Sequence, residues 1–136
     1  MERNIRDFPR TIERFRAYFE KGEFNYVSFG VGEGRKDGYV INTFFSGHEE
    51  DCTYFPVDMS IEMLILAMLH IQDRYDTKYK NRIEIQRDFE DIQDLQDILR
   101  LVRHVGGDKP ILYGFLGNTI SNIENQDRWW RKFLGS

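Results

Sequence analysis

The run "FNYVSFGVGEGRKDGYVINTFF", Phe24 to Phe45, decides how the rest of the chain is read. Two stretches in it, "FNYVSFGV" (24–31) and "GYVINTFF" (38–45), are dense in aromatic and β-branched residues, the composition of strands. Between them, Gly32 to Asp37 is glycine and charge. Local chemistry therefore predicts a hairpin over 24–45, two strands joined by a somewhat long loop. Its glycines supply positive φ, while Glu33, Arg35, Lys36 and Asp37 keep the loop in water.

The same glycines invite a phosphate-binding reading, and spacing argues against it. Gly32, Gly34, Gly38 and Val40 give G-x-G-x-x-x-G-x-V, one residue longer than the glycine loop of protein kinases. The chain also has no H-R-D or D-F-G motif. A P-loop needs Gly-Lys-Ser/Thr, which is missing. A dinucleotide fingerprint needs a helix straight after its glycines, and a strand at 38–45 leaves none. The loop reads as a turn.

Outward from the hairpin, helices dominate. Phe8, Ile12, Phe15 and Phe19 recur on one helical face, with Pro9 in the first turn and Gly22 at the stop. "TYFPV", 53–57, reads as a short strand held at a sheet edge, because Pro56 has no N–H for a ladder. Asp58 or Ser60 opens a helix running to about Asp76. Its run "MLILAML", 63–69, is apolar on most sides, which predicts a central helix covered by sheet and by other helices. A second long helix is expected from about 88 to 104, stopped by Gly106 and Gly107. "PILYGFL", 110–116, reads as a buried strand. Ser121 and Glu124 form a capping box for a last helix. That order does not alternate as a doubly wound sheet does. The expectation is one α+β domain over 1–136. Its small, mostly antiparallel sheet, hairpin 24–45 plus strand 110–116, would pack against about four helices.

Composition bounds the function. The 136 residues are 40% hydrophobic and 31% charged, a globular balance. A net charge of -4 disfavours a nucleic-acid backbone as partner. The single cysteine, Cys52, cannot close an internal disulfide, so a cytoplasmic setting is expected. The charged start "MERNIRDFPR" has no signal-peptide core, and seven apolar residues at 63–69 are too few to span a membrane.

Five features carry candidate chemistry. His48, Glu49, Glu50, Asp51 and Cys52 hold metal-ligand types, but adjacent residues on an extended loop cannot converge on one ion. No metal and no cofactor is expected. His70 and Asp73 share a helical face at i, i+3, as a base and its orienting carboxylate would, yet no nucleophile accompanies them. Neither Cys52 nor His104 gains a partner from sequence spacing. Asp88, Glu90, Asp91, Asp94 and Asp97 crowd one helix start, a run that suits the helix dipole and offers a negative face to a basic partner. In "DRWWRKF", 127–133, adjacent tryptophans point about 100° apart. Spacing from Ile123 and Phe133 assigns Trp130 to the core and leaves Trp129 partly exposed for binding.

Without a catalytic constellation, the residues favour a small acidic binding protein over an enzyme. The concrete form is an inhibitor of the immunity or anti-defence type that occludes a basic site on a partner protein. Glu49, Glu50, Asp51, Trp129 and the five acids of 88–97 would make that surface. One alternative is a small-ligand or nucleotide-binding module, with enzymatic activity open, in which aromatic strands frame a pocket. Another is a structural subunit that assembles through the tryptophan pair.

Overall fold

The structure is a computed structural model and describes residues 24–32, 34–45, 51–75, 81–115 and 126–135. The predicted helix at 8–20, the capping box Ser121–Glu124, and the loop residues His48, Glu49 and Glu50 lie outside them. Strand β1 is Asn25–Phe29, helix α1 Arg35–Phe44, strand β2 Thr53–Asp58, helix α2 Ile61–Tyr75 and strand β3 Ile85–Gln86. Helix α3 is Ile92–Gly106, strand β4 Ile111–Gly114 and helix α4 Gln126–Leu134.

All the strand pairings are parallel, in the order β3-β2-β1-β4. The expected antiparallel sheet is therefore wrong, and the error starts at the second half of the supposed hairpin. Residues 38–45 are not a strand; they belong to α1 and its C-cap. The burial of Asp37, Gly38, Val40, Ile41 and Phe45 has helical period, with Arg35 and Asn42 outside. One residue hides that period from a sequence reader. Asp37 counts as polar and outward-facing, yet it is 2% exposed. Its carboxylate accepts hydrogen bonds from Tyr26 Oη at 2.7 Å, Ser28 Oγ at 2.8 Å and Tyr54 Oη. Those hydroxyls stand on β1 and β2, so tertiary contacts overrode the β propensity of "GYVINTFF".

β2 is also not an edge strand, since it lies between β1 and β3. Pro56 is tolerated there for a local reason. Tyr54 N donates to Asn81 O and Ile83 N donates to Tyr54 O, so the amides of 54, 56 and 58 face β3. Pro56 has no proton to give on that side. The β2–β3 pairing is a bridge at Tyr54–Arg82, then a gap, then Val57–Ile85 and Asp58–Gln86.

Two cores flank the sheet. On one face Tyr26, Phe24 and Tyr54 pack with Val40, Ile41 and Phe45 of the α1 segment and Leu64, Ala67, Met68 and Ile71 of α2. On the other, Val27, Phe29, Phe55 and Val57 pack with Leu95, Ile98, Leu99 and Val102 of α3 and Trp129 of α4. α2 is less enclosed than its composition predicts. Ile65, Leu66 and Leu69 are 52–58% exposed, because the helix lies over the β3 end of the sheet with solvent on its far side. Asn25 ties the start of β1 to the end of α3. Its Nδ2 donates to Gly106 O at 3.0 Å, and a Cβ at Gly106 would overlap that amide.

The chain thus winds outward from β1 through β2 to β3 with α1 and α2 on one face. It then returns over the other face by α3 to place β4 on the far side of β1. This is a Rossmann-like α/β arrangement, and its direction reverses between β1 and β4.

Candidate functional site at the carboxyl ends of the strands

In open parallel sheets, ligands lie outside the carboxyl ends of the strands at the point of reversal. Here that edge carries Gly30 after β1, Asp58 at the end of β2, the 87–91 loop after β3, and Phe115 after β4.

The turn from β1 into α1 is built on glycines in register G-x-G-x-G: Gly30, Gly32 and Gly34 have φ of 79°, 57° and 81°. L side chains rarely adopt these angles. Gly34 caps α1, and a Cβ on it would stand 2.8 Å from the Ala67 carbonyl oxygen of α2. That close approach lets α2 seat against the turn. Gly32 differs. A Cβ there would meet nothing within 4 Å, so the space beside it is open.

Asp58 faces this turn. Its Oδ2 accepts from Val31 N at 3.3 Å and its Oδ1 from Ser60 N at 2.9 Å. Gly30 N donates to Val57 O at 2.8 Å, which locks the turn to the end of β2. Ser60 then starts α2, its hydroxyl accepting from Met63 N at 3.3 Å. A carboxylate has about four lone-pair positions, so two of Asp58's remain for a ligand. The Val31 amide is spent on that carboxylate, whereas a phosphate cradle would aim it at an anion. The sequence argument against a phosphate loop is thus supported at Val31 by geometry. Its premise that no helix follows the glycines is wrong.

The loop after β3 is fixed on several sides. Arg87 N donates to Asp58 O at 3.1 Å. Asp88 Oδ1 accepts from Glu90 N at 3.1 Å, and Asp91 caps α3 by accepting from Asp94 N at 3.0 Å. Partial burial and then the Asp88 charge hold the Glu90 carboxyl above its ordinary value. Phe89 turns inward, 5% exposed, and its carbonyl accepts from Trp129 Nε1 at 2.6 Å.

The acids singled out by sequence thus have local structural duties at the start of α3. Asp97 is exposed, accepting from Gln93 Nε2 at 3.3 Å and lying 4.0 Å from Arg100. Asp51 is exposed near the start of β2, where its backbone carbonyl accepts from Lys109 Nζ. Trp129 and Trp130 exchange their expected places: Trp129 is 1% exposed and Trp130 half-buried. The reason is the Phe89 carbonyl, which gives the Trp129 indole a buried acceptor, and Phe29, Phe115 and Phe133, which surround it. Burial removes Trp129 from any partner surface. Cys52 is buried on the α1–α2 face, whereas His104 is exposed on α3 across the sheet, so they do not converge. His70 has a buried Nε2 without a hydrogen-bond partner, and Asp73 is exposed. Among the described residues no group of His, Cys, Asp and Glu is placed to hold a metal ion. No described helix is long and apolar enough to cross a membrane.

A family model described as histidine-specific methyltransferase, SAM-dependent, matches residues 8–135. The chain belongs to that family. No curated protein matches it. Membership overturns the expected small acidic inhibitor of the immunity or anti-defence type. It favours the alternative of an enzymatic, small-molecule-binding module. Sequence reasoning missed Gly30 and Asp58, although the glycine spacing and the strand-end acid were both present in the sequence. The glycine register begins at Gly30 rather than Gly32, and an acid ends the next strand 28 residues later.

Proposed function

We propose that the chain binds S-adenosylmethionine across the ends of β1 and β2 and serves methyl transfer to histidine. The observation that carries this is the Gly30–Gly34 turn, glycine at 30, 32 and 34 with open space beside Gly32, facing the Asp58 carboxylate. The family's description, SAM-dependent and histidine-specific, supports this choice of cofactor and substrate class. The residues present suit an adenosyl sulfonium. It brings ribose hydroxyls for a carboxylate to accept, and no phosphate for Asp58 to repel.

In this reading Asp58 accepts from the ribose hydroxyls and holds the sugar at the end of β2. Gly32 lets the ligand approach the backbone where any side chain would intrude. The 87–91 loop, next outward from Asp58, meets the purine. When bound, S-adenosylmethionine supplies an electrophilic methyl group on sulfur. The protein's part is to fix that group's position, since a displacement of about 1 Å can cost on the order of a hundredfold in rate.

Calorimetric titration with S-adenosylhomocysteine, the demethylated product, tests the reading. The wild-type chain binds it, and Asp58→Ala weakens binding about 10- to 100-fold, the loss of a hydrogen bond to a charged group. No binding by the wild type, or equal binding by the variant, refutes it.

A further inference from the structure

The 87–91 loop, assigned above to the purine, is held from behind by a buried residue. Trp129 lies on α4, after β4, and its indole N–H donates to the Phe89 carbonyl in the middle of the 87–91 loop. Both residues are buried, so the bond is shielded from water. The Phe89 ring lies 5.2 Å from Phe29, the last residue of β1 before the glycine turn. Phe29 in turn meets Trp129 edge-on at 6.2 Å. One aromatic cluster therefore backs both the glycine turn and the purine loop.

We propose that Trp129 is a positioning residue for base recognition: its N–H fixes the Phe89 carbonyl, and with it the backbone of the 87–91 loop that carries Asp88. This rests on the adenosyl reading above. Asp88 spends Oδ1 on Glu90 N, inside the loop, which leaves Oδ2 to accept from the purine 6-amino group. Without the indole N–H the carbonyl must find another partner, and the loop turns to let it do so.

The probes are S-adenosylhomocysteine and its inosine analogue, in which oxygen replaces the 6-amino group. Wild type prefers the adenosyl form. Trp129→Phe keeps a ring but loses the N–H, and its adenosyl-to-inosyl affinity ratio falls about tenfold, equivalent to about 1.4 kcal/mol. Asp58→Ala weakens both ligands equally, because the ribose is common to them. Phe133→Leu loosens the same cluster without touching the bond; it lowers the melting temperature and leaves the ratio intact. If Trp129→Phe does not fold, benzothienylalanine at 129, with sulfur in place of N–H, carries the same comparison. An unchanged ratio in either variant overturns the proposal and leaves the adenosyl reading standing. So does a ratio that collapses equally in Phe133→Leu. A wild-type protein that binds neither ligand overturns the adenosyl reading and the proposal together.

Discussion

Gly32 and Gly34 share a backbone conformation and differ in surroundings, so alanine at each separates folding from binding. At Gly32, φ is +57° and a Cβ meets nothing within 4 Å. The cost of alanine there is the left-handed backbone alone, about 1–2 kcal/mol. At Gly34, φ is +81° and the Cβ lies 2.8 Å from Ala67 O, 3.0 Å from its Cα and 3.1 Å from its Cβ. These neighbours are mainly backbone and cannot rotate aside, so α2 must shift. Overpacking adds about 1–3 kcal/mol, for a total of about 2–5 kcal/mol. That is a large share of a domain's ordinary margin of about 5–15 kcal/mol. Urea denaturation reads the stability of both variants, and titration with S-adenosylhomocysteine reads their binding. Gly32→Ala is expected to stay folded and bind at least about tenfold more weakly, since its methyl group fills the open space assigned to the ligand. Gly34→Ala is expected to lose more stability than Gly32→Ala. Wild-type affinity in Gly32→Ala refutes the assignment of that space. Equal stability losses refute the packing argument at Ala67.

Two further outcomes follow from buried polar groups. Burial raises the Asp37 carboxyl above 3.8, against the lowering effect of its three hydroxyl partners. An acid with a raised folded pKa is penalised above that value and relieved as pH falls through it. The stability of wild type relative to Asp37→Asn should therefore improve as pH falls from neutral toward 3.8 in urea titrations; a constant or shrinking advantage contradicts this. Asn25→Ala leaves the buried Gly106 carbonyl without its donor and Thr53 N without its acceptor. It should cost about 2–4 kcal/mol by the same assay, and a loss under about 1 kcal/mol would show that water replaces the amide.

Much of the secondary structure was legible in the sequence. The 3.6-residue period marked α2 and α3, Gly106 and Gly107 marked the end of α3, and "PILYGFL" marked β4. The candidate site was less so. The acids of 88–97 drew attention by number, yet Asp88 and Asp91 organise their own loop. Asp58 looked like a helix cap, and its place opposite the glycine turn exists only once β1 and β2 lie side by side.

The sequence by itself determined which segments bury apolar surface and where the chain turns, because period and glycine placement act over a few residues. Tertiary structure alone decided that 35–44 is a helix and that the sheet is parallel. The deciding interactions are the hydroxyls of Tyr26, Ser28 and Tyr54 closing on Asp37. A buried carboxylate is stable only where such donors surround it. Those donors come from two strands up to 17 residues away, beyond the reach of any local pattern.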